Sequence, residues 1–265
     1  MDFEAANRDM WDRPMDAIGG PHHISHIYGN IAYAVIAFVF KICFRYRVVG
    51  RENIRRFRGK GALVVSNHTS FLEIAFFYIA ARPRQWPRFV ARDTLFKKKN
   101  WFSGLWVSGV GGFPVTRDEA DLSAVKRAVR FMKSGELVQI FPEGTRRNKG
   151  NLAPRLHGGC ALMARMAKAP IIPSTCRNAD KIKEKGKRIR FPKVTIEYGT
   201  PLWVSDFDFV DKHDRVAACT WYMMRECFAL SYRCKPEEVD MKALFPEDRD
   251  FTDLFAGITV THKED

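Results

Sequence analysis

The feature that most constrains the fold is an alternation of short apolar runs with amphipathic stretches across the middle of the chain. Apolar runs of about four to eight residues are typical of buried strands, and longer stretches with a helical apolar period are typical of helices. The runs lie at residues 62–66, 89–92, 136–141, 169–175 and 193–199. The helical stretches lie at residues 70–80, 119–134, 156–168 and 211–230. Strands that alternate with helices in this way predict an α/β fold with a parallel or mixed central sheet flanked by helices.

Residues 1–47 differ in character and are predicted to form a polar tail followed by a membrane-docking hydrophobic helix. The tail begins with an acidic stretch and lacks the apolar core of a signal peptide. The uninterrupted apolar run covers only residues 31–40, about half of the roughly 20 residues that a spanning helix needs. Lys41 and Arg45 then lie beside aromatic side chains, as is typical of a helix in the membrane interface. A buried core helix is the alternative.

The remaining chain is divided into an α/β domain over residues 48–201 and an acidic helical extension over residues 202–265 that packs on it. Residues 1–201 contain 36 Lys and Arg against 16 Asp and Glu, whereas residues 202–265 contain 8 against 14. A strongly basic region implies an anionic partner. Because the chain has no recognition-helix motif, paired zinc ligands or RNP-like strand, we predict an anionic membrane surface or a phosphorylated substrate, and no nucleic acid.

The cysteines and histidines predict neither a disulfide framework nor a metal site. The six cysteines show no CxxC pair, which favours reduced thiols in a cytosolic compartment. His22, His23 and His26 have a spacing that suits a metal on a helix, but a fourth ligand is missing. Together with the docking helix, this pattern predicts a membrane-associated protein at the cytoplasmic face of the cell membrane.

The first candidate for chemistry is the segment SNHTSFLE at residues 66–73, directly after a predicted strand. A carboxylate from Glu73 that folds back to one nitrogen of His68 would fix the tautomer and leave the other nitrogen free as a base. The alternative is a capping box, in which Ser70 and Glu73 satisfy the first N–H groups of the helix. The two interpretations can hold together.

Two further segments have the composition of an anion site. QIFPEGTRR at residues 139–147 joins a strand to a Pro-Glu-Gly-Thr turn and two arginines, and GVGGFPVTRD at residues 109–118 ends its extended part at Arg117. Backbone N–H groups of such a turn and arginine side chains suit a phosphate group. Taken singly, each arginine is as well explained as a solvated surface charge.

In their order along the chain, NHTSFLE, GGFPVTR, FPEGTR and IIP (171–173) resemble the four sequence blocks of the glycerolipid acyltransferases. The bacterial 1-acyl-sn-glycerol-3-phosphate (lysophosphatidic acid) O-acyltransferases are the most similar type, and the resemblance extends from about residue 48 to residue 201. It implies the α/β acyltransferase fold with an N-terminal membrane-docking element. It also implies acyl transfer from an acyl-CoA or acyl-carrier-protein thioester to the free hydroxyl of a lysophospholipid, which gives phosphatidic acid.

The resemblance also implies roles for individual residues. His68 would be the general base that deprotonates the hydroxyl, and Glu73 would orient it. Pro173 would help to form the side of the site that holds the acyl donor. The residues that would bind the glycerol-phosphate head group and shape the site are Arg117, Glu143, Gly144, Thr145 and Arg146. No cofactor or metal is expected, because a thioester already has a good leaving group.

Two departures from the family pattern leave alternatives open. Glu73 stands where the family nearly always has Asp, and Arg147, commonly Ser, is expected to add positive charge near the phosphate. A protein of this fold that binds membrane lipid with weak or no catalysis is an alternative function, for which Glu73 is the only indication. Transfer to glycerol-3-phosphate or another lysolipid is a second alternative, since the blocks specify the chemistry better than the head group.

Two basic segments are candidates for further lipid contact. Residues 96–109 mix three lysines with tryptophan and phenylalanine, which suits a headgroup layer as well as an amphipathic core segment. Residues 181–193 are predicted to form a solvated, hairpin-like loop, with lipid contact as the alternative.

Overall fold

The computed structural model of the chain describes residues 10–12, 26–82, 85–97, 104, 107–116, 121–147, 154–184 and 186–262. The strands are β1 Arg47–Val49, β2 Ala62–Ser66, β3 Pro87–Arg92, β4 Gly112–Val115, β5 Leu137–Ile140, β6 Ile171–Arg177 and β7 Thr195–Tyr198. The helices are α1 His26–Phe44, α2 Glu52–Arg55, α3 Glu73–Ala81, α4 Leu122–Lys133, α5 Gly159–Ala167, α6 Arg215–Tyr232 and α7 Met241–Leu244.

The strands form one mixed sheet in the order β1-β7-β6-β2-β5-β3-β4. Neighbouring strands are parallel except for β6 and β7, which are antiparallel. In the centre, Leu63 of β2 is paired with Val138 of β5 on one side and with Ile171 of β6 on the other. The predicted α/β fold with a mixed, helix-flanked sheet is confirmed.

Helices cover both faces of the sheet, so all five residues of β2 are buried. Its residues alternate between two hydrophobic clusters, because successive side chains of a strand point to opposite faces. Leu63 and Val65 contribute to the cluster that contains residues of α4, α5 and α6. Ala62 and Val64 contribute to the other cluster, with residues of α1 and α3. Residues after 201 belong to this arrangement too, since the thiol of Cys227 in α6 donates to the carbonyl of Val65 at 3.5 Å.

Helix α1 forms where the apolar run predicted it, and its two faces have different surroundings. The rings of Phe40 and Phe44 pack on Phe76 of α3, with centroids 4.9 and 5.4 Å apart. Large apolar side chains on the opposite face are exposed, and these are Ile31, Val35, Phe38, Val39 and Ile42. The alternative of a buried core helix therefore describes only one face. Among the described residues, no helix combines the length and apolar character needed to cross a membrane.

The remaining differences from prediction are local. Helices α3 and α5 each begin three residues later than expected, at Glu73 and Gly159. Helix α2 lies in a charged stretch without a clear apolar period, and β1 is a three-residue edge strand, so neither produces a pattern long enough to detect. Most of the segment 96–109, together with His22 and His23, lies outside the described residues.

Candidate active site

Two loops meet at one edge of the sheet because the strands that precede them, β2 and β5, are parallel neighbours. The loop after β2 carries His68, and the turn after β5 contains residues 141–147. The imidazole of His68 stacks on the ring of Phe141, with centroids 4.1 Å apart. The N–H of Arg147 donates to the carbonyl of His68 at 3.0 Å. Topology thus brings together two sequence blocks that lie more than seventy residues apart.

His68 and Glu73 form a direct pair. Nδ1 of His68 lies 2.7 Å from Oε2 of Glu73, whose side chain is 1% exposed. The other carboxylate oxygen, Oε1, accepts from the backbone N–H of Thr69 at 3.1 Å and from its hydroxyl at 2.6 Å. An ionised carboxylate at Nδ1 favours the tautomer that carries its proton there. Nε2 then has a free lone pair, as a general base requires.

The predicted capping box of Ser70 and Glu73 is wrong. The hydroxyl of Ser70 accepts from the N–H of Leu72 at 3.3 Å, and the Glu73 carboxylate turns back to Thr69. The reason is that α3 begins at Glu73 itself, so this residue is in the first helical position. From there its side chain reaches the imidazole while the helix proceeds away from the loop.

Glu143 lies behind the imidazole, next to the backbone of the same loop. Its Oε1 accepts from the N–H of His68 at 3.0 Å, and its Oε2 is 2.6 Å from Nε of Arg147. Burial raises the pKa of Glu143 to about 7, although the nearby Arg147 guanidinium acts in the opposite direction. This carboxylate therefore supports the loop that carries His68.

A cavity of about 850 Å³ opens in front of the imidazole. Of the predicted site residues, His68, Gly144, Thr145 and Arg146 line it. Much of the remaining wall is apolar and includes Phe71, Ile74, Val90, Leu122, Leu162 and Met163. The cavity combines a base, cationic groups and apolar surface, which suits a molecule with an anionic head and a hydrocarbon tail.

Gly144 shapes the turn at the rim of this cavity. Its φ of +62° is a left-handed conformation that side chains with a Cβ rarely adopt. A Cβ at this position would lie 2.9 Å from Nε2 of His157. The turn is closed by the N–H of Thr145, which donates to the carbonyl of Glu143 at 2.7 Å. The backbone conformation therefore favours glycine, and a Cβ here would also push the imidazole of His157 aside.

Other predicted residues lie elsewhere. Arg117 is outside the described residues, and Pro173 is buried within β6, paired with Val65 of β2. The expectation that Arg147 adds charge near a phosphate is wrong, because its guanidinium pairs with the buried Glu143 and packs over the ring of Phe245. The reason is tertiary: the C-terminal part of the chain supplies these contacts.

Two basic residues that line the cavity were not predicted from the sequence. Arg92 is the last residue of β3, and His157 precedes α5. The position of Arg92 at the carboxyl end of a strand was a usable signal, since β3 and β5 are parallel neighbours. No local pattern marks His157. Within the described part of the chain, no group of three or more His, Cys, Asp or Glu side chains is placed to hold a metal ion.

A family model described as Acyltransferase matches residues 45–177. This span is half of the chain, and it contains His68, Glu73 and the turn with Gly144 and Arg146. The chain therefore belongs to the acyltransferase family, as its sequence blocks predicted, and the protein is an acyltransferase.

Individual relatives carry a more specific name. The chain is 29% identical to the 1-acyl-sn-glycerol-3-phosphate acyltransferase of Bacillus subtilis over 174 residues, which are 66% of this chain and 82% of that protein. It is 30% identical to the protein of the same name from Streptococcus pneumoniae over 145 residues, which are 54% of this chain and 51% of that protein. The crystal structure of the 1-acyl-sn-glycerophosphate (LPA) acyltransferase PlsC from Thermotoga maritima has a similar fold, with a TM-score of 0.51 and 22% identity over 74% of this chain and 80% of that one.

Proposed function

We propose that the protein transfers a fatty acyl group from a thioester of coenzyme A or acyl-carrier protein to the free hydroxyl of 1-acyl-glycerol-3-phosphate, which gives phosphatidic acid. The observation that carries this proposal is the pairing of His68 with the buried Glu73 at the wall of a cavity that also contains Arg146. The names of the two bacterial relatives support the same acceptor.

The chemistry follows from the free nitrogen of the imidazole. Nε2 of His68 takes the proton of the lipid hydroxyl as its oxygen attacks the thioester carbonyl. The new C–O bond forms, the C–S bond breaks, and the proton passes from the imidazolium to the departing thiolate. Glu73 stabilises the imidazolium between these steps, because its ionised carboxylate is 2.7 Å from Nδ1.

Cationic groups on the cavity wall would bind the phosphate of the acceptor. Arg146 and Arg92 can donate several hydrogen bonds to phosphate oxygens, and His157 adds a further donor at the same wall. Arg117 is proposed to join them. Gly144 and Thr145 shape the turn that presents Arg146 to the phosphate.

The carboxylate of Glu143 is proposed to act behind the cavity and not within it. Glu143 is 1% exposed and contacts the N–H of His68, so we assign it to positioning of the base and not to contact with the head group.

The alternative of a lipid-binding protein with weak catalysis rested on Glu73 in place of Asp. That reason is weakened by the 2.7 Å contact between Glu73 and His68.

We also propose that α1 docks on the anionic membrane surface at the cytoplasmic face of the cell membrane. Its exposed stripe includes Phe38 and Ile42, which are 66% and 63% exposed, and Lys41 is exposed beside them. The basic loop at residues 186–193 lies at the carboxyl end of α1, where the ring of Phe191 is 5.6 Å from that of Phe44. Apolar side chains flanked by basic groups are typical of surfaces that bind anionic lipid.

The test of the proposed reaction is thiol release from an acyl thioester by the purified protein in the presence of 1-acyl-glycerol-3-phosphate. We expect transfer by the wild type and a loss of about 10²–10⁴-fold in His68→Ala, the usual contribution of a general base. His213→Ala is the matched control, because His213 is exposed and does not line the cavity. Glycerol-3-phosphate and other lysolipids are compared as acceptors, and coenzyme A with carrier protein as donors. Wild-type transfer equal to the blank would reject the proposal.

A further inference from the structure

Arg147 ends the turn after β5, at residues 141–147, and contacts the C-terminal part of the chain. Its guanidinium carbon lies 4.6 Å from the ring centroids of both Phe228 in α6 and Phe245 after α7. Its two terminal nitrogens are each 3.4 Å from the carbonyl oxygen of Leu244. The side chain is 18% exposed. Residues 228–245 lie beyond the span matched by the family model, which ends at residue 177.

The same arginine closes a ring of contacts around the backbone of His68. Its N–H donates to the carbonyl of His68 at 3.0 Å, and its Nε is 2.6 Å from Oε2 of Glu143. The other oxygen of Glu143 accepts from the N–H of His68 at 3.0 Å. Both polar groups of the His68 backbone are therefore held by the turn that Arg147 ends.

We propose that Arg147 is a positioning residue for the acyl transfer, through which the segment at residues 228–245 holds His68 at the cavity. This inference rests on the proposed function of His68 as the base. Arg147 does not line the cavity, so its effect passes through Glu143 and the loop and not through contact with substrate.

The charges around Glu143 explain why an arginine is suited to this place. The titratable and charged groups that face Glu143 come from both loops, α3 and α6, and they are His68, Arg147, Glu73, Cys227 and Tyr232. Of these, Arg147 supplies the positive charge that favours the ionised carboxylate. An ionised carboxylate accepts a stronger hydrogen bond from the His68 N–H than a neutral acid does. Removal of Arg147 raises the pKa of Glu143 further, and this bond weakens at the same pH.

The test compares Arg147→Met, which keeps an apolar side chain between the two rings, with Arg147→Lys, which keeps the charge. We expect kcat to fall about tenfold in Arg147→Met, part of the 10²–10⁴ that a general base supplies, with KM for the acceptor unchanged. The pH at which kcat reaches half its maximum should move upward in the same variant. Arg147→Lys should restore part of kcat and the wild-type pH profile. A rise in KM for the acceptor, or a half-maximal pH that stays at the wild-type value, would overturn the inference.

Arg155→Met is the matched control, because Arg155 also ties the core to the C-terminal part, through Glu247, but does not contact His68 or Glu143. It should retain kcat. In a Glu143→Gln background, Arg147→Met should cause little further loss, since the two residues act in one chain of contacts. Additive losses would contradict this.

A measurement without substrate separates this inference from the proposed reaction. We expect backbone hydrogen exchange at residues 66–72 to be faster in Arg147→Met than in the wild type and unchanged in Arg155→Met. If exchange is equal in all three proteins, Arg147 does not hold the loop, whatever the activity. If exchange changes as expected but His68→Ala retains full transfer, the proposed function fails and the positioning contact stands.

Discussion

Replacement of Glu73 by glutamine tests how the imidazole is prepared for catalysis. Glutamine has the length of glutamate, so its amide oxygen can keep both hydrogen bonds from Thr69, now at 3.1 and 2.6 Å. The amide nitrogen is then placed opposite Nδ1 of His68, where a carboxylate oxygen now lies at 2.7 Å. An amide nitrogen donates and cannot accept, so Nδ1 must give up its proton. The proton moves to Nε2, which loses the lone pair that should accept the substrate proton.

The expected fall in kcat follows from this exchange of tautomers. In Ser-His-Asp hydrolases, replacement of the corresponding Asp by Asn leaves the geometry intact and lowers kcat by about 10⁴. We expect a fall of about 10³–10⁴ in kcat for Glu73→Gln. KM should change little, because Glu73 is 1% exposed and does not line the cavity.

The assay is thiol release at saturating donor and acceptor, with thermal unfolding measured on the same protein samples. Glu197→Gln is the control, since Glu197 forms an ion pair with Arg177 away from the cavity lining. A Glu73→Gln protein that is folded and has a kcat within threefold of the wild type would refute the reasoning. It would show that the tautomer of His68 does not depend on this carboxylate.

Three further predictions concern the pH dependence of stability, the turn at residues 141–147 and membrane binding. Burial raises the pKa of Glu143 from 4.5 to about 7, so between these two pH values the folded protein keeps a proton that the unfolded chain has lost, and the free energy of unfolding falls as the pH rises from about 4.5 to about 7. Glu143→Gln should therefore make the free energy of unfolding less dependent on pH between about 4.5 and about 7 in urea titrations, and an unchanged dependence would contradict this. Gly144→Ala should lower the free energy of unfolding by about 1–2 kcal/mol in urea titrations, because a residue with a Cβ is strained in the left-handed conformation. It should also lower kcat in the thiol-release assay, because the new Cβ contacts His157 at the cavity wall. Phe38→Ser should reduce sedimentation with vesicles that contain anionic lipid, whereas Phe209→Ser, at a similarly exposed position, should not.

Much of the fold could be predicted because it depends on local pattern. The apolar run of β2 is recognisable because both faces of a central strand are covered, and every one of its side chains is buried. Helix α4 could be predicted from an apolar stripe and from Gly135, which follows it with a φ of +86°. Edge strand β1 escaped prediction because three residues with one hydrogen-bonded neighbour carry no such pattern.

Local sequence pattern predicted the contacts of polar side chains less well. The spacing of Ser70 and Glu73 fits a capping box, and only the start of α3 at Glu73 directs the carboxylate to His68 instead. Arg147 follows Arg146 directly, yet one lines the cavity and the other pairs with a buried acid. Adjacent residues of the same type have no difference in sequence pattern that would separate these roles.

The amino-acid order alone determined the alternation of strands and helices, the family blocks and the apolar character of α1, because these depend on short-range periodicity and on residue type. Tertiary structure decided which face of α1 is covered, since that depends on where Phe76 of α3 lies. It also decided the partner of Arg147, whose contact with Leu244 joins residues 97 positions apart. Burial and ion pairing depend on the distances between segments, and these distances exist only once the sheet has brought the segments together.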